Sequence, residues 1–155
     1  MSRGIAKGLS MPLRYPVAPG MLLLCDYGLG GFREPEIVKR RPSVVISPRL
    51  PHRDGLCAVV PLSATEPTHN VPYVVRIELS EELPEPFSLK ICWAKCDMVA
   101  TVAFARLDLF RTDREQGARR YLTPKVGAAN FDAIMQGVLH ELGMNHLTFA
   151  PPKSS

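Results

Sequence analysis

The sequence predicts a small, mostly β domain with one C-terminal α-helix, and three observations predict it. Short apolar runs recur between turns that carry Pro and Gly, at residues 21–27, 42–46, 56–60 and 73–78. Towards the end, Phe131, Ile134, Met135, Val138, Leu139 and Leu142 recur three and four residues apart up to Gly143, the spacing of one helix face. The 155 residues are 46% apolar and 22% charged, enough for one core and far from the composition of a disordered chain. Short strands without intervening helices fit a small antiparallel barrel or sandwich rather than parallel βαβ units.

Taken in order, residues 1–18 mix Gly, Ser, Pro and isolated cations without periodicity and read as a basic N-terminal arm. Pro19-Gly20 is a turn, and the first strand, 21–27, ends near Asp26. Gly28, Gly30 and Gly31 with nearby Pro and charges make 28–38 a flexible hairpin loop. It is no phosphate cradle, because neither a helix start nor a Lys-Ser/Thr pair follows. The second and third strands, 42–46 and 56–60, pair across a turn ending Asp54-Gly55. The fourth, 73–78, carries charges on alternate positions, the sign of one solvated face. Pro84 and Pro86 break the chain before one or two more strands over 88–93 and 95–104. A short helix is expected over 107–115, and Thr123-Pro124 should cap and open the C-terminal helix. The domain proper is then 19–145, with 146–155 a flexible tail.

The formal net charge is +4 and the pI about 9.0. Cations concentrate in 33–53 and 111–125, with Glu78, Glu81, Glu82 and Glu85 between them. This layout permits a polyanion partner, although so mild an excess also serves solubility alone. Cys25, Cys57, Cys92 and Cys96 sit in or beside apolar runs, where buried, reduced thiols are expected rather than a disulfide framework. Cys92 and Cys96 have no second pair and no His at ligand spacing, so neither a metal nor another cofactor is expected. Residues 1–16 hold no apolar signal core, and no run approaches the roughly 20 apolar residues of a membrane span. A cytoplasmic protein without membrane contact is expected.

The residues that could carry chemistry gather around Lys39-Arg40-Arg41-Pro42-Ser43, where three cations run into a β-branched strand. Proline fixes the backbone at the strand mouth, so Arg41 can be held rigidly where a phosphate would lie; the bland reading is a surface cation. Ser63 and Thr65 follow another apolar strand and offer hydroxyls at the same end, unless they are simply turn formers. Asp97 lies within the apolar run 91–102, where an unpartnered carboxylate is costly and is expected to have Lys95, Arg41 or a hydroxyl beside it. Phe32, Tyr27 and Trp93 are aromatics on which unpaired bases could stack, each with the alternative of a core or loop anchor.

In this order, the segments ending at Asp26-Tyr27, opening at Arg41-Pro42-Ser43-Val44-Val45-Ile46-Ser47, then Val59-Val60-Pro61-Leu62-Ser63, Lys95-Cys96-Asp97 and Arg106-Leu107 resemble the PemK/MazF toxins of bacterial toxin–antitoxin systems. The resemblance spans 19–142 and implies an SH3-like, plasmid-maintenance-toxin barrel with a C-terminal helix. It further implies an endoribonuclease that cuts single-stranded RNA without metal, leaves a 2′,3′-cyclic phosphate, forms a homodimer and is neutralised by an antitoxin. Carried over by position, Arg41, Ser63 and Asp97 are the expected catalytic residues, while Lys39, Arg40, Lys95, Thr65 and Phe32 are expected to bind RNA. Ser63 stands where the family usually has threonine, and Lys95 where members using such an acid have arginine, which keeps the charge but loses bidentate geometry. Those departures favour a rival reading, a non-catalytic nucleic-acid- or protein-binding module on the same barrel. Relatives that poison gyrase end in Trp-Gly-Ile, whereas this chain ends Pro-Pro-Lys-Ser-Ser with its only tryptophan at Trp93.

Overall fold

A computed structural model describes residues 17–112 and 120–150. Its strands are β1 (Leu22–Asp26), β2 (Arg40–Val45), β3 (Leu56–Ser63), β4 (Val74–Glu78), β5 (Ile91–Lys95), β6 (Ala100–Ala103), β7 (Leu107–Asp108), β8 (Phe110–Arg111) and β9 (Tyr121–Leu122), and helix α1 (Ala128–Glu141) follows. Seven strands form one antiparallel sheet in the order β4-β5-β3-β2-β1-β7, with β6 also on β3, while β8 and β9 pair separately. The expected class, mostly antiparallel β with a C-terminal helix, is the one formed. Strand β3 is long because it serves three partners. It runs beside β2 on one edge, and on the other it gives 56–59 to β6 and 62–63 to β5.

Strand β1 reads as a continuous apolar run because both faces of the sheet centre are buried. Leu22 and Leu24 pack with Val44, Val60, Leu62 and, from α1, Ile134 and Val138. Leu23 and Cys25 pack on the opposite face with Tyr27, Val45, Val59, Val102 and Leu107. Burying each such large aliphatic side chain contributes about 1.5–3 kcal/mol.

Helix α1 starts at Gly127, not at Thr123-Pro124. The intervening backbone is committed to the sheet edge: Leu22 N–H donates to the Pro124 carbonyl at 2.9 Å and Val126 N–H to that of Gly20 at 3.0 Å. The helix closes as expected at Gly143, whose φ of +76° suits only glycine well. Met144 N–H reaches back to the Leu139 carbonyl and Gly143 N–H to that of His140, a Schellman ending. Inside α1, Gly137 lets the helix sit directly on Cys96, since a Cβ there would lie 2.6 Å from the Cys96 sulfur.

One further expectation is corrected, and the two end segments are seen only in part. Residues 107–108 and 110–111 are strand rather than helix, because Leu107 pairs with Cys25 of β1 and Phe110 with Leu122 of β9; positions 113–115 lie outside the described residues. The arm expected over 1–18 gives way to core by Val17, which is buried, and residues 1–16 lie outside the description. The tail from 146 is tied to α1 as far as Phe149: the Gln136 side chain donates to the Leu147 carbonyl and accepts from Phe149 N–H, both at 2.8 Å, and the Phe149 ring meets Phe131 edge-on at 6.0 Å. No helix among the described residues is long and apolar enough to cross a membrane.

Candidate functional site

Residues paired directly across antiparallel strands point to the same face, and steps of two along a strand keep that face. Cys25 pairs with Arg41, Ser43 with Pro61, and Trp93 with both Ser63 and Arg76. Arg41, Ser43, Ser63, Trp93, Arg76 and Lys95 therefore share one face of β2, β3, β5 and β4. The β2–β3 pairing runs as far as Ser43 and Pro61, and Arg41 and Ser63 lie two residues further along their strands on that same face. Deeper on this face lie Val45, Val59 and Val102 of the core. The polar residues thus occupy the end where the core gives way to solvent.

Arg41 is half-buried, and its Nε is a buried donor with no hydrogen-bond partner among the described residues. That donor is available to an anionic acceptor, with which it would form a charge-assisted hydrogen bond, stronger than a neutral one. The backbone beneath it is fixed. Ser43, with no solvent exposure, donates its hydroxyl to the Arg41 carbonyl at 3.3 Å and shares a 2.9 Å hydrogen bond with the Tyr27 hydroxyl. Ser63 is 5% exposed, and its Oγ accepts from Thr65 N–H at 3.1 Å, which leaves the hydroxyl hydrogen able to donate.

Lys95, Asp97 and Thr65 line one cavity of ≈370 Å³ together with Tyr73, Val74, Met98 and His69. Asp97 is not enclosed in an apolar strand as the sequence suggested. The run breaks into a 3₁₀ turn, Cys96–Met98, in which Cys96 is buried against α1 with its thiol donating to the Ile134 carbonyl at 3.4 Å. Asp97 on that turn is solvent-exposed, with no hydrogen-bond or ion-pair partner among the described residues. Solvation removes the cost that was expected to demand one.

Other expected site residues are placed differently. Arg40 pairs with Asp26 and faces away from Arg41, while Lys39 is exposed just ahead of β2. Tyr27 is buried, so its ring is closed to a base. Phe32 is half-buried and packs edge-on against Tyr27 at 5.4 Å, anchoring the loop between β1 and β2. That loop is held rather than loose. Arg106 donates from Nη1 to the Asp26 carbonyl at 3.0 Å and from Nη2 to that of Gly30 at 2.7 Å, with its guanidinium 4.8 Å over the Phe32 ring. The sequence reading missed this role. The available signal was a cation between the apolar Phe104 and Leu107.

All four thiols are reduced and buried. Burial pushes Cys25 and Cys96 up to about 12 and Cys57 and Cys92 up to about 11, so none is a nucleophile at neutral pH. Among the described residues no cluster of three or more His, Cys, Asp or Glu side chains could hold a metal ion.

Solved structures give the class of fold. A mycobacterial endoribonuclease superposes with a TM-score of 0.55 at 18% identity, over 83% of this chain and 92% of that one. A chain from the MazE–MazF crystal structure of Deinococcus radiodurans superposes with a TM-score of 0.51 at 17% identity, over 84% and 99%. The family model for the PemK-like, MazF-like toxins of type II toxin–antitoxin systems matches residues 19–124, and the chain belongs to that family. The uncharacterized protein YifN of Escherichia coli (strain K12) is 27% identical over 121 residues, 67% of this chain and 80% of that one.

Proposed function

We propose that this protein is a toxin-type endoribonuclease that cuts single-stranded RNA without a metal, working from the face that carries Arg41 and Ser63. The observation that carries this reading is the buried Nε of Arg41, without a hydrogen-bond partner among the described residues, on the same face as a serine hydroxyl with a proton to give, in a chain of the PemK/MazF family. RNA supplies its own nucleophile, the 2′-OH, so the protein needs a base, an acid and stabilisation of the charge that develops at phosphorus. Asp97 accepts the 2′-OH proton as the 2′-oxygen attacks. Arg41 Nε and Ser63 Oγ donate to the non-bridging oxygens of the phosphorane. As the bond from phosphorus to the 5′-oxygen breaks, Lys95 supplies the proton that oxygen takes up, because a guanidinium does not surrender one. The products are a 2′,3′-cyclic phosphate and a 5′-hydroxyl end.

Thr65 and Lys95 hold RNA beside the cavity, and Lys39 adds attraction for the phosphate backbone at the mouth of β2. The active form is a homodimer, and a cognate antitoxin, extended and acidic, covers the cationic face. The MazE–MazF relative supports that pairing. The test is incubation of the purified protein with a mixed RNA in excess EDTA. Discrete fragments ending in 2′,3′-cyclic phosphate are expected, whereas intact RNA that the protein still binds would replace the nuclease reading with that of a binding module.

A further inference from the structure

We infer that Arg106 is a positioning residue for Arg41, acting through a contiguous chain of contacts that runs from the β1–β2 loop into the β2 backbone. The inference rests on the proposed role of Arg41. Each contact is short. The Arg106 guanidinium lies 4.8 Å over the Phe32 ring, the Phe32 ring meets Tyr27 edge-on at 5.4 Å, the Tyr27 hydroxyl shares a 2.9 Å hydrogen bond with Ser43, and Ser43 donates to the Arg41 carbonyl at 3.3 Å.

The order of donors makes the chain directional. Ser43 has one hydroxyl proton; giving it to the Arg41 carbonyl leaves its oxygen to accept from Tyr27, and each such bond polarises the next. Tyr27 stays in place because its ring is buried and its edge is closed by Phe32. Phe32, only half-buried and on a loop that turns through Gly30 and Gly31 at positive φ, would not hold its place by burial alone. Arg106 supplies what is lacking: two hydrogen bonds fix the loop backbone at Asp26 and Gly30, and the guanidinium plane covers the ring. Asp26 and Arg40 pair where the loop leaves β1 and enters β2, so the loop's footing adjoins Arg41 itself. A cation 65 positions downstream of Arg41 thereby sets where a buried Nε with no partner among the described residues sits.

The test reads Arg41 directly as well as through activity. Its buried Nε–Hε group should give a distinct nitrogen–proton NMR signal, identified by its loss in Arg41→Lys. Phe32→Leu and Arg106→Lys each remove a ring or a fork from the chain. Both should shift that signal in the RNA-free protein and lower the single-turnover cleavage rate by about 10- to 100-fold, the scale of a sub-ångström to 1 Å misplacement, and Arg106→Lys should do so with RNA affinity unchanged. Phe32→Tyr keeps the ring and should restore both readouts, which a general loss of stability would not do. An unchanged Arg41 signal in Phe32→Leu and Arg106→Lys overturns the inference whatever the rate does. A shifted signal in a protein whose wild type cuts no RNA keeps the positioning and discards the nuclease.

Discussion

Replacing Gly137 with alanine sets helix propensity against packing, and the structure decides which wins. In the interior of an exposed helix the change would gain about 0.8–1 kcal/mol. Here the new Cβ would stand 2.6 Å from the Cys96 sulfur and 3.1 Å from a Val75 methyl, against an optimal separation of about 3.5–4.0 Å. Cys96 cannot swing aside, being fully buried with its thiol given to the Ile134 carbonyl, so α1 and the 3₁₀ turn must part. Overpacking of this kind costs typically about 1–3 kcal/mol. The net should be a loss of up to about 2 kcal/mol, or up to roughly 8 °C in Tm for a chain of this size. Urea and thermal unfolding would measure it. Cys96→Ala in the same background makes room for the methyl, so the double variant should be more stable than the sum of the single effects by about 1 kcal/mol. Because Lys95 and Asp97 flank Cys96, Gly137→Ala should also weaken cleavage. A Gly137→Ala protein that melts above wild type would refute the packing account.

The four thiols should resist a thiol reagent in the native protein at pH 8 and react only as the chain unfolds; a fast native phase would contradict the burial that raises their pKa values. Those values rise from an ordinary 9.0 to about 11–12, so the folded state keeps protons that the unfolded chain releases, and their stabilisation is complete below pH 9 and lost as pH climbs towards 12. Tm should therefore fall across that window rather than rise. Ser63→Thr should keep most of the cleavage rate because it keeps the donor, whereas Ser63→Ala should lose about 10-fold or more, measured in single turnover. Gln136→Leu should unfasten residues 147–149 from α1, seen as faster hydrogen exchange at the Phe149 amide, with little change in Tm.

Where the sequence reading succeeded, one period dominated. The helix face from Phe131 to Leu142 and the apolar runs of β1 to β4 carry their spacing openly, and Arg41-Pro42 marks the mouth of β2 without tertiary knowledge. It missed where tertiary bonds overrode a good local signal. Thr123-Pro124 is a sound helix start, yet Leu22 takes the Pro124 carbonyl for the sheet edge. Residues 107–111 have helix-like spacing, but Leu107 and Phe110 are needed in the two β pairings. Asp97 looked enclosed because a three-residue 3₁₀ turn is too short to leave a periodicity. The shared face of Arg41, Ser63, Trp93 and Arg76 depends on register between four strands, which composition does not encode, and the clamp by Arg106 links segments about 80 positions apart.

The central claim is that Arg41 stabilises charge that exists only as the RNA phosphate is cut, and Arg41→Ala tests it most directly. Single-turnover cleavage and RNA affinity should be measured on the same preparation in EDTA, with Arg40→Ala, which faces the other way opposite Asp26, as the control. Loss of Arg41 should lower the rate on the order of 100- to 1,000-fold while RNA binding weakens only modestly, its salt slope falling by about one unit. Arg41→Lys should be nearly as poor, since an ammonium lacks the planar fork. Cleavage by Arg41→Ala at the wild-type rate, or a dead Arg40→Ala beside an active Arg41→Ala, would contradict the account.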